Sequence, residues 1–468
     1  MKLRSFKNHS IAIFGLGSSG LSVANSLNNS GAHVIAWDDH PVAVKKAQDM
    51  GIKVVDFRTI SWSNINYLVL SPGIALTGEN AHWCVTLANQ FNVEIIGDIE
   101  LFVRERRFSL QQSLFIAVTG TNGKSSTVAL IAHILQNNGY DVQLGGNIGL
   151  PILNLEYFVP NRFYVIECSS YQIELAPTID PSIGVLLNIS PDHLDRHHSL
   201  DNYVRIKEKI VKMSKHAIIC TQDDQCKKIA SDVNCCEHSI SRISSKLMPL
   251  DSDLYIDEYS LKCSSTSKII FDFSREIKKH NIQNLAASAT VCMRLGLKND
   301  DIKRALSSFD GLTHRLQTIA QLGDVIFIND SKATNLHSVV NAISNEKRAI
   351  YWIAGGVSKS EDFSILFPLL SKIAKAYFIG DSSMLFSHHL GCKIHSTISN
   401  TLDQALKSAI RDAENTQLSS VILFSPGCAS FDQYTDFRER GFSFMSLVSE
   451  IKDIEMFVDI EKERQSPW

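Results

Sequence analysis

Residues 117–135, AVTGTNGKSSTVALIAHIL, restrict the fold of this chain more than any other stretch. An apolar run ends in Gly120-Thr121-Asn122-Gly123. Lys124 and Ser125 follow, and apolar residues at helical spacing begin at once. A strand feeding a helix through a glycine loop belongs in a parallel α/β sheet, and backbone N–H groups at such a helix start attract phosphate. The usual spacing is G-x-x-x-x-G-K-[ST]. Gly123, Lys124 and Ser125 fit its end, but Val118 stands where its first glycine belongs. The spacing predicts a helix over 125–136 with a nucleotide phosphate at its start.

The rest of the chain supports more than one such unit. Its 468 residues exceed one ordinary domain. A net charge of -3 gives no reason to expect nucleic acid or a membrane surface as partner, and no apolar run reaches the ~18 residues of a membrane helix. Ten cysteines occur without a C-x-x-C pair, Cys235 and Cys236 being adjacent. With no signal peptide, a reducing cytoplasm is expected rather than a disulfide framework.

Three α/β segments follow one another. The first opens with IAIFGLGSSGLSVANSLNNSGAHVIAWDD, a βαβ unit turning on Gly15, Gly17 and Gly20 and ending at Asp38-Asp39. A later strand ends in Ser71-Pro72-Gly73, at the edge where open sheets bind ligands. The second segment holds the phosphate loop, the strand FYVIECSS with its single acid Glu167, the strand SIGVLLNIS before PDHLDRHH, and an alanine-rich helix after His280. The third starts near GLTHRLQ and includes DVIFINDSKATN and SVILFSPGCASFDQ, each a strand followed by a turn. The charged tail after Glu450 reads as a solvated helix end with no role.

Several residues carry candidate chemistry. Glu167, at a strand end beside the loop, suits the metal of a bound nucleotide; Ser125 is a second candidate ligand. His193 falls on the same edge of the same sheet. Lys207 flanks the apolar stripe Tyr203, Ile206 and Ile210. Spacing alone reads it as a solvated charge, and the alternative is a lysine that has taken up CO₂ and become an anion. Asn281 and Asn284 suit an adenine edge or simply a polar helix start. Asp330, Lys332, Thr334 and Asn335 crowd one turn. The first glycine turn suits a dinucleotide or another pyrophosphate.

Taken together, GLGSSG, SPGIAL, GDIELF, GTNGKSS, GNIGLP, ECSSYQIE, DHLDRH, HNIQN, THRLQ, NDSKATN, SPGCASFDQ and RGFSF closely resemble the Mur ligases, the ATP-dependent amino-acid ligases of bacterial cell-wall synthesis. NDSKATN and SPGCASFDQ favour the D-glutamate-adding member. The resemblance implies an α/β protein of three domains: a Rossmann-like UDP-substrate domain over 1–108, a central ATPase with a parallel sheet over 109–312, and a Rossmann-like amino-acid domain over 313–468. It implies UDP-N-acetylmuramoyl-L-alanine held by Ser18, Ser19, Asp38, Asp39, Gly73 and Asn147. ATP would meet the loop from Gly120 through Thr121, Asn122, Gly123, Lys124, Ser125 and Ser126, with Asn281 and Asn284 at adenine, Arg315 at the phosphates and Asp330 at ribose. Ser125 and Glu167 would bind one Mg²⁺, and His193 and carbamylated Lys207 would bind or support a second, with Lys124, Glu167, His193 and Lys207 as the catalytic set. Lys332, Thr334, Lys359, Ser430 and Phe437 would form the D-glutamate pocket.

The implied reaction phosphorylates the substrate carboxylate, and the D-glutamate amine then displaces phosphate from the acyl phosphate. The implied enzyme is a bacterial, cytoplasmic monomer whose third domain closes over ATP. Two departures stand out: Val357 where related ligases often carry an acid, and Gln317 where HRLE is common. An NAD-dependent oxidoreductase would use the first glycine turn but leave GTNGKSS idle. A nucleotide switch would leave Glu167 and Lys207 idle. Another Mur ligase or a folate-polyglutamylating ligase is the nearer competitor.

Overall fold

The computed structural model describes the chain apart from residues 79–80, 234–238, 245–252, 259, 273–281, 310, 345, 359–361, 417–418 and 466–468. The chain divides into two compact units, residues 1–309 and 310–468. Three sheets hold the strands, two in the first unit and one in the second.

The first sheet joins β1 (Ser10–Phe14), β2 (His33–Trp37), β3 (Tyr67–Leu70) and β4 (Glu94–Ile96) in the order β2-β1-β3-β4, all parallel. Its tight turn depends on missing side chains. Gly15 has φ +92°, and a Cβ on Gly20 would lie 1.8 Å from the Gly15 carbonyl oxygen. The helix Ser18–Asn28 can therefore start directly behind β1.

The second sheet carries β5 (Leu114–Thr119), β6 (Val142–Gly146), β7 (Phe163–Glu167), β8 (Ile183–Leu186) and β9 (His216–Cys220). It continues through β10 (Ser239–Ser244), β11 (Leu254–Asp257), β12 (Ser260–Cys263) and β13 (Ile269–Asp272). The order is β13-β12-β11-β10-β9-β8-β5-β7-β6, parallel from β6 through β11 and antiparallel at the last two pairs. β7 and β8 are buried along their whole length, as the apolar runs FYVIE and IGVL require of strands covered on both faces. The expected 125–136 helix spans Lys124–Asn137, one residue longer at each end. It packs on the helix Ile282–Arg294, where the Ser288 hydroxyl donates to Thr127 O at 3.3 Å.

Gly184 in β8 sets the distance of another helix, Leu200–Lys212. A Cβ at 184 would lie 2.2 Å from the Ile210 carbonyl oxygen, so this helix sits against bare backbone. The close approach carries Lys207 to the phosphate loop.

In the second unit β14 (Gln317–Leu322), β15 (Val325–Asn329), β16 (Ala349–Gly355), β17 (Ile373–Ile379), β18 (Ser396–Asn400), β19 (Ser420–Phe424) and β20 (Glu455–Met456) run in the order β18-β17-β16-β19-β15-β14-β20. β15 to β19 are parallel; β14 and β20 are antiparallel to their neighbours. The tail after Glu450 is thus not merely a solvated helix end. It adds β20 to the open edge of β14, where backbone groups need partners, and then forms the short helix Ile460–Gln465.

Buried carboxylates stitch the two sheets of the first unit. They lie on the helix Asp98–Ser109. Glu105 accepts from Ser5 N at 2.8 Å, Ser5 Oγ at 2.6 Å and Tyr157 Oη at 2.7 Å. Glu100 accepts from Arg104 Nε at 2.7 Å and Thr178 Oγ1 at 2.6 Å. Glu105→Ala leaves the half-buried donors of Ser5 and Tyr157 without their acceptor, and we expect it to destabilise the first unit by about 1–3 kcal/mol. Urea unfolding followed by tryptophan fluorescence measures this; an unmoved midpoint would show that the stitch contributes nothing.

Candidate active site

The phosphate loop lies between β5 and the helix Lys124–Asn137. Val118 belongs to the strand itself: it is fully buried and pairs with Glu167 on one side and Val185 on the other. The turn therefore begins at Gly120, and a strand residue is what position 118 needs. Gly123 has φ +85°, and a Cβ there would lie 2.4 Å from Asn284 Oδ1. This also places the buried Asn284 directly at the loop. Lys124 Nζ lies over the turn, donating to Gly120 O at 3.0 Å and Thr121 O at 2.8 Å. Ser125 and Ser126 are buried in the first helical turn.

A residue that the sequence motifs do not mark holds the loop open. Asn188, just after β8, accepts from Asn122 N at 2.8 Å and donates to Asn122 O at 3.1 Å. Gln283 backs it, donating to Leu187 O at 2.6 Å. Thr121 Oγ1 donates to Ser190 O at 3.1 Å. These partners lie 66 to 96 positions away in sequence, so no local pattern announces them.

Lys207 is not the solvated charge that spacing alone describes. Only 1% of it is exposed. Its Nζ donates to Gly120 O at 2.8 Å and Thr119 Oγ1 at 3.2 Å, and it sits 4.8 Å from the centre of the Tyr203 ring. Burial, and next the Lys124 cation, push its pKa well below the ordinary lysine range against the pull of Asp192 and Glu167. Burial favours the neutral form of an amine, the form that combines with CO₂.

Glu167 ends β7 and is buried; it accepts from Asn147 Nδ2 at 2.7 Å. His193 takes a left-handed backbone, φ 55°, and its Nδ1 lies 2.8 Å from Tyr171 Oη. Four rings then run inward: His193 to Tyr171 at 4.9 Å, Tyr171 to His197 at 5.4 Å, and His197 to Tyr203 at 5.5 Å. Tyr203 lies against Lys207, so the ring series joins two of the predicted residues. His197 is held at a pKa of about 4, by burial first and then by Arg196.

A cleft of about 370 Å³ brings Ser18, Ser19 and Gly73 of the first sheet to Asn147, Tyr171 and Gln172 of the second. Asn147 therefore faces the cleft while holding Glu167. Asp38 sits apart from this lining. Its carboxylate accepts from Leu16 N at 2.6 Å and His40 N at 2.8 Å, which fixes the glycine turn. Asp39 pairs with His82 Nε2 at 3.0 Å and Trp83 Nε1 at 3.1 Å.

In the second unit the turn after β15 places Asp330, Lys332 and Thr334 together. Asp330 is buried and accepts from Ser425 Oγ at 2.7 Å and Leu316 N at 3.1 Å, next to Arg315. Lys332 Nζ lies 3.8 Å from the centre of the Phe437 ring. Arg440 clamps this turn to the turn after β19, donating to Ser331 O at 2.8 Å and Cys428 O at 3.1 Å. Ser430 is buried on the second of these turns. Gln317 Oε1 accepts from His314 N at 3.0 Å, so the amide closes its turn without a carboxylate. Val357 is partly exposed and bridges Ala429. Asn281 and Lys359 lie outside the described residues, as do Cys235 and Cys236.

Fold and site together define a Mur-type ligase. Residues 118–292 match the Mur ligase middle domain, and residues 5–72 match the NADPH-binding domain of acetohydroxy acid isomeroreductase. The UDP-N-acetylmuramoylalanine–D-glutamate ligase of Agrobacterium fabrum is 45% identical over 460 residues, covering 97% of this chain and 98% of that protein. The Brucella abortus protein of that name is 45% identical over 452 residues, covering 95% and 97%. The chain belongs to the family of UDP-N-acetylmuramoylalanine–D-glutamate ligases. Among solved structures, the UDP-N-acetylmuramate–alanine ligase MurC of Thermotoga maritima shares the fold at TM-score 0.58 and 16% identity, covering 93% of this chain and 98% of that one. MurF of Acinetobacter baumannii does so at 0.57 and 18%, covering 83% and 93%.

Asp330 generates a pH prediction. Burial raises its pKa to about 7, against the Ser425 hydrogen bond and the nearby Arg315. Between the unfolded value near 4 and this folded value, the unfolded chain has released a proton that the folded chain keeps. Stability contributed by the protonated acid is therefore full below pH ~4 and is lost as pH rises through 7. Asp330→Asn cannot ionise, so its stability relative to wild type should be better at pH 8 than at pH 4 by roughly 2–4 kcal/mol. Denaturant unfolding at both pH values tests this, and a constant difference would refute it.

Proposed function

We propose that this chain joins D-glutamate to UDP-N-acetylmuramoyl-L-alanine, cleaving ATP to ADP and phosphate by way of an acyl phosphate. The observation carrying this reading is the Asn147–Glu167 hydrogen bond. One side of Asn147 faces the cleft shared by the first two sheets, and the other grips the carboxylate beside the phosphate loop. A phosphoryl donor at the loop and an acceptor in the cleft are thereby brought to the same pair of residues.

The chain's own residues supply position and charge. The loop from Gly120 to Ser126 takes the phosphates through backbone N–H groups at the helix start. Lys124 turns from the loop carbonyls to the phosphate oxygens, and its point charge offsets negative charge on the moving group. Ser18, Ser19, Gly73 and Asn147 orient the UDP substrate, with Asp38 shaping the turn and Asp39 beside it. Phosphorylation converts a poor electrophile into an acyl phosphate; the D-glutamate amine attacks, and phosphate leaves. Lys332, Thr334, Lys359, Ser430 and Phe437 select D-glutamate. Asn284 and Asn281 serve adenine, with Arg315 and Asp330 at the phosphates and ribose. The three functions correspond to residues 1–108, 109–312 and 313–468.

The donor set fits Mg²⁺. Among the described residues no three of His, Cys, Asp and Glu form a ready cluster. Mg²⁺ needs none, since it takes one or two carboxylates, waters and substrate phosphates. Ser125 and Glu167 would hold one ion, and His193 and carbamylated Lys207 would hold or support a second, where they would offset phosphate charge. His193 suits the part because Tyr171 takes its other ring nitrogen, the arrangement that orients ligating histidines. We further read the enzyme as a cytoplasmic monomer. No helix among the described residues is long and apolar enough to cross a membrane.

The match of residues 5–72 to an NADPH-binding domain favours a second reading of the first sheet alone. That reading gives the phosphate loop, Glu167 and Lys207 nothing to do. ADP formation with UDP-N-acetylmuramoyl-L-alanine across a panel of amino acids decides. D-glutamate should support turnover far better than L-glutamate or meso-diaminopimelate. Equal rates with diaminopimelate would move the chain to another ligase step, and tight NADPH binding without UDP-substrate binding would favour the second reading.

Lys207→Ala should lower kcat on the order of 10²-fold with the fold intact, because it removes an anion from the phosphoryl-transfer site. Lys207→Arg cannot take up CO₂ and should not rescue. Added formate or acetate should partly restore Lys207→Ala, and bicarbonate should restore wild type in CO₂-depleted buffer. Near-normal turnover of Lys207→Ala at saturating Mg²⁺ would discard the carbamate.

A further inference from the structure

Read by charge alone, the tail after Glu450 has no role, yet one of its contacts reaches a turn of the second unit and two more reach residues beside that turn. That turn, residues 313–316, precedes β14 and carries Arg315, whose backbone N–H donates to Leu312 O at 3.2 Å. It has an unusual backbone: His314 and Leu316, on either side of Arg315, are both left-handed, with φ 62° and 45°. Non-glycine residues resist that conformation, and a leucine more than most, so the turn stays in place only if its surroundings hold it.

Part of the hold is internal. His314 N donates to Gln317 Oε1 at 3.0 Å, Lys332 N donates to His314 O at 3.0 Å, and Leu316 N donates to Asp330 Oδ1 at 3.1 Å. The rest comes from the tail. Phe457 N donates to Ile319 O at 2.8 Å, extending the β14–β20 pairing. The Glu463 carboxylate accepts from the Thr313 hydroxyl, which is buried. Arg464 lies 5.3 Å from the Phe442 ring, and Phe442 meets the His314 ring edge-on at 4.5 Å. The helix carrying Glu463 and Arg464 is itself started by Asp459, whose carboxylate accepts from Glu461 N at 3.0 Å.

We propose that the 455–465 tail is a brace for ATP binding, with Glu463 as the positioning residue: through Thr313 it holds the left-handed turn that carries Arg315. This rests on the reading that Arg315 serves the ATP phosphates. Two left-handed neighbours flank Arg315, and each gains freedom to leave that conformation once the anchor is cut. The loss should therefore appear as weaker ATP binding rather than as a general loss of the fold.

The test uses the full-length protein with Glu463→Ala, Glu463→Gln, Thr313→Val and the Thr313→Val/Glu463→Ala pair. Glu463→Ala should raise KM for ATP at least fivefold, while KM for the UDP substrate, bound in the first unit, stays within twofold. Glu463→Gln keeps an acceptor oxygen for Thr313 and should stay near wild type. Thr313→Val should match Glu463→Ala, and the double variant should be no worse than either single one, because all cut the same bond. A lowered melting temperature with an unmoved KM for ATP would overturn the brace, as would additive effects in the double variant. Wild type without D-glutamate-dependent ADP formation would instead overturn the ligase reading. In that event, calorimetric binding of a non-hydrolysable ATP analogue to the same variants tests the brace by itself: a fivefold weaker Kd supports it and an unchanged Kd rejects it.

Discussion

Burying an amine among loop carbonyls is the demand around which the first unit is built. Lys207 must reach Gly120 O from a helix on the far side of β8, so that helix has to lie closer than ordinary packing permits. Gly184 removes the side chain that would stand in the way, and Tyr203 closes over the amine with its ring. Lys124 comes to the same carbonyl from the other side. Two lysines on one loop repel each other, which adds to the burial that lowers the Lys207 pKa.

Much of this was legible in the sequence, and the residues that were not have a common reason. The strand–loop–helix at 114–137, the first glycine turn and the strand ending at Glu167 announce themselves through periodicity and glycine spacing, which are local. The placing of Lys207 against the loop was not readable, because its helix has an ordinary amphipathic pattern. What buries it is a glycine 23 positions away whose importance lies in a missing atom. Asn188 and Tyr171 were missed for a related reason. Each acts on a residue brought near by the sheet order β8-β5-β7, which pairs strands in an order unlike that of the chain.

Val118 shows the opposite case, where the sequence raised a doubt that the fold removes. Counting positions toward the usual motif spacing makes it an error; counting from the last strand pair makes it necessary. The second unit adds a caution about composition. A run of charges after Glu450 looks like solvated chain, but two of its residues pair with an open strand edge and others reach back to Thr313 and Phe442. Charge predicts exposure of most of a segment and says little about the few atoms that touch something.

The hydrogen bond from Asn147 to Glu167 has a thermodynamic consequence. One side chain belongs at once to the cleft and to the acid beside the phosphate loop, so an occupant of the cleft that shifted Asn147 would also change the free energy of binding at the acid. Linkage makes that influence equal in both directions: if an occupant of the cleft tightens binding at the loop tenfold, the loop's ligand must tighten the cleft tenfold as well. With such coupling the two halves of the site would fill as partners, and an inhibitor built for one would have an affinity that depends on the occupancy of the other.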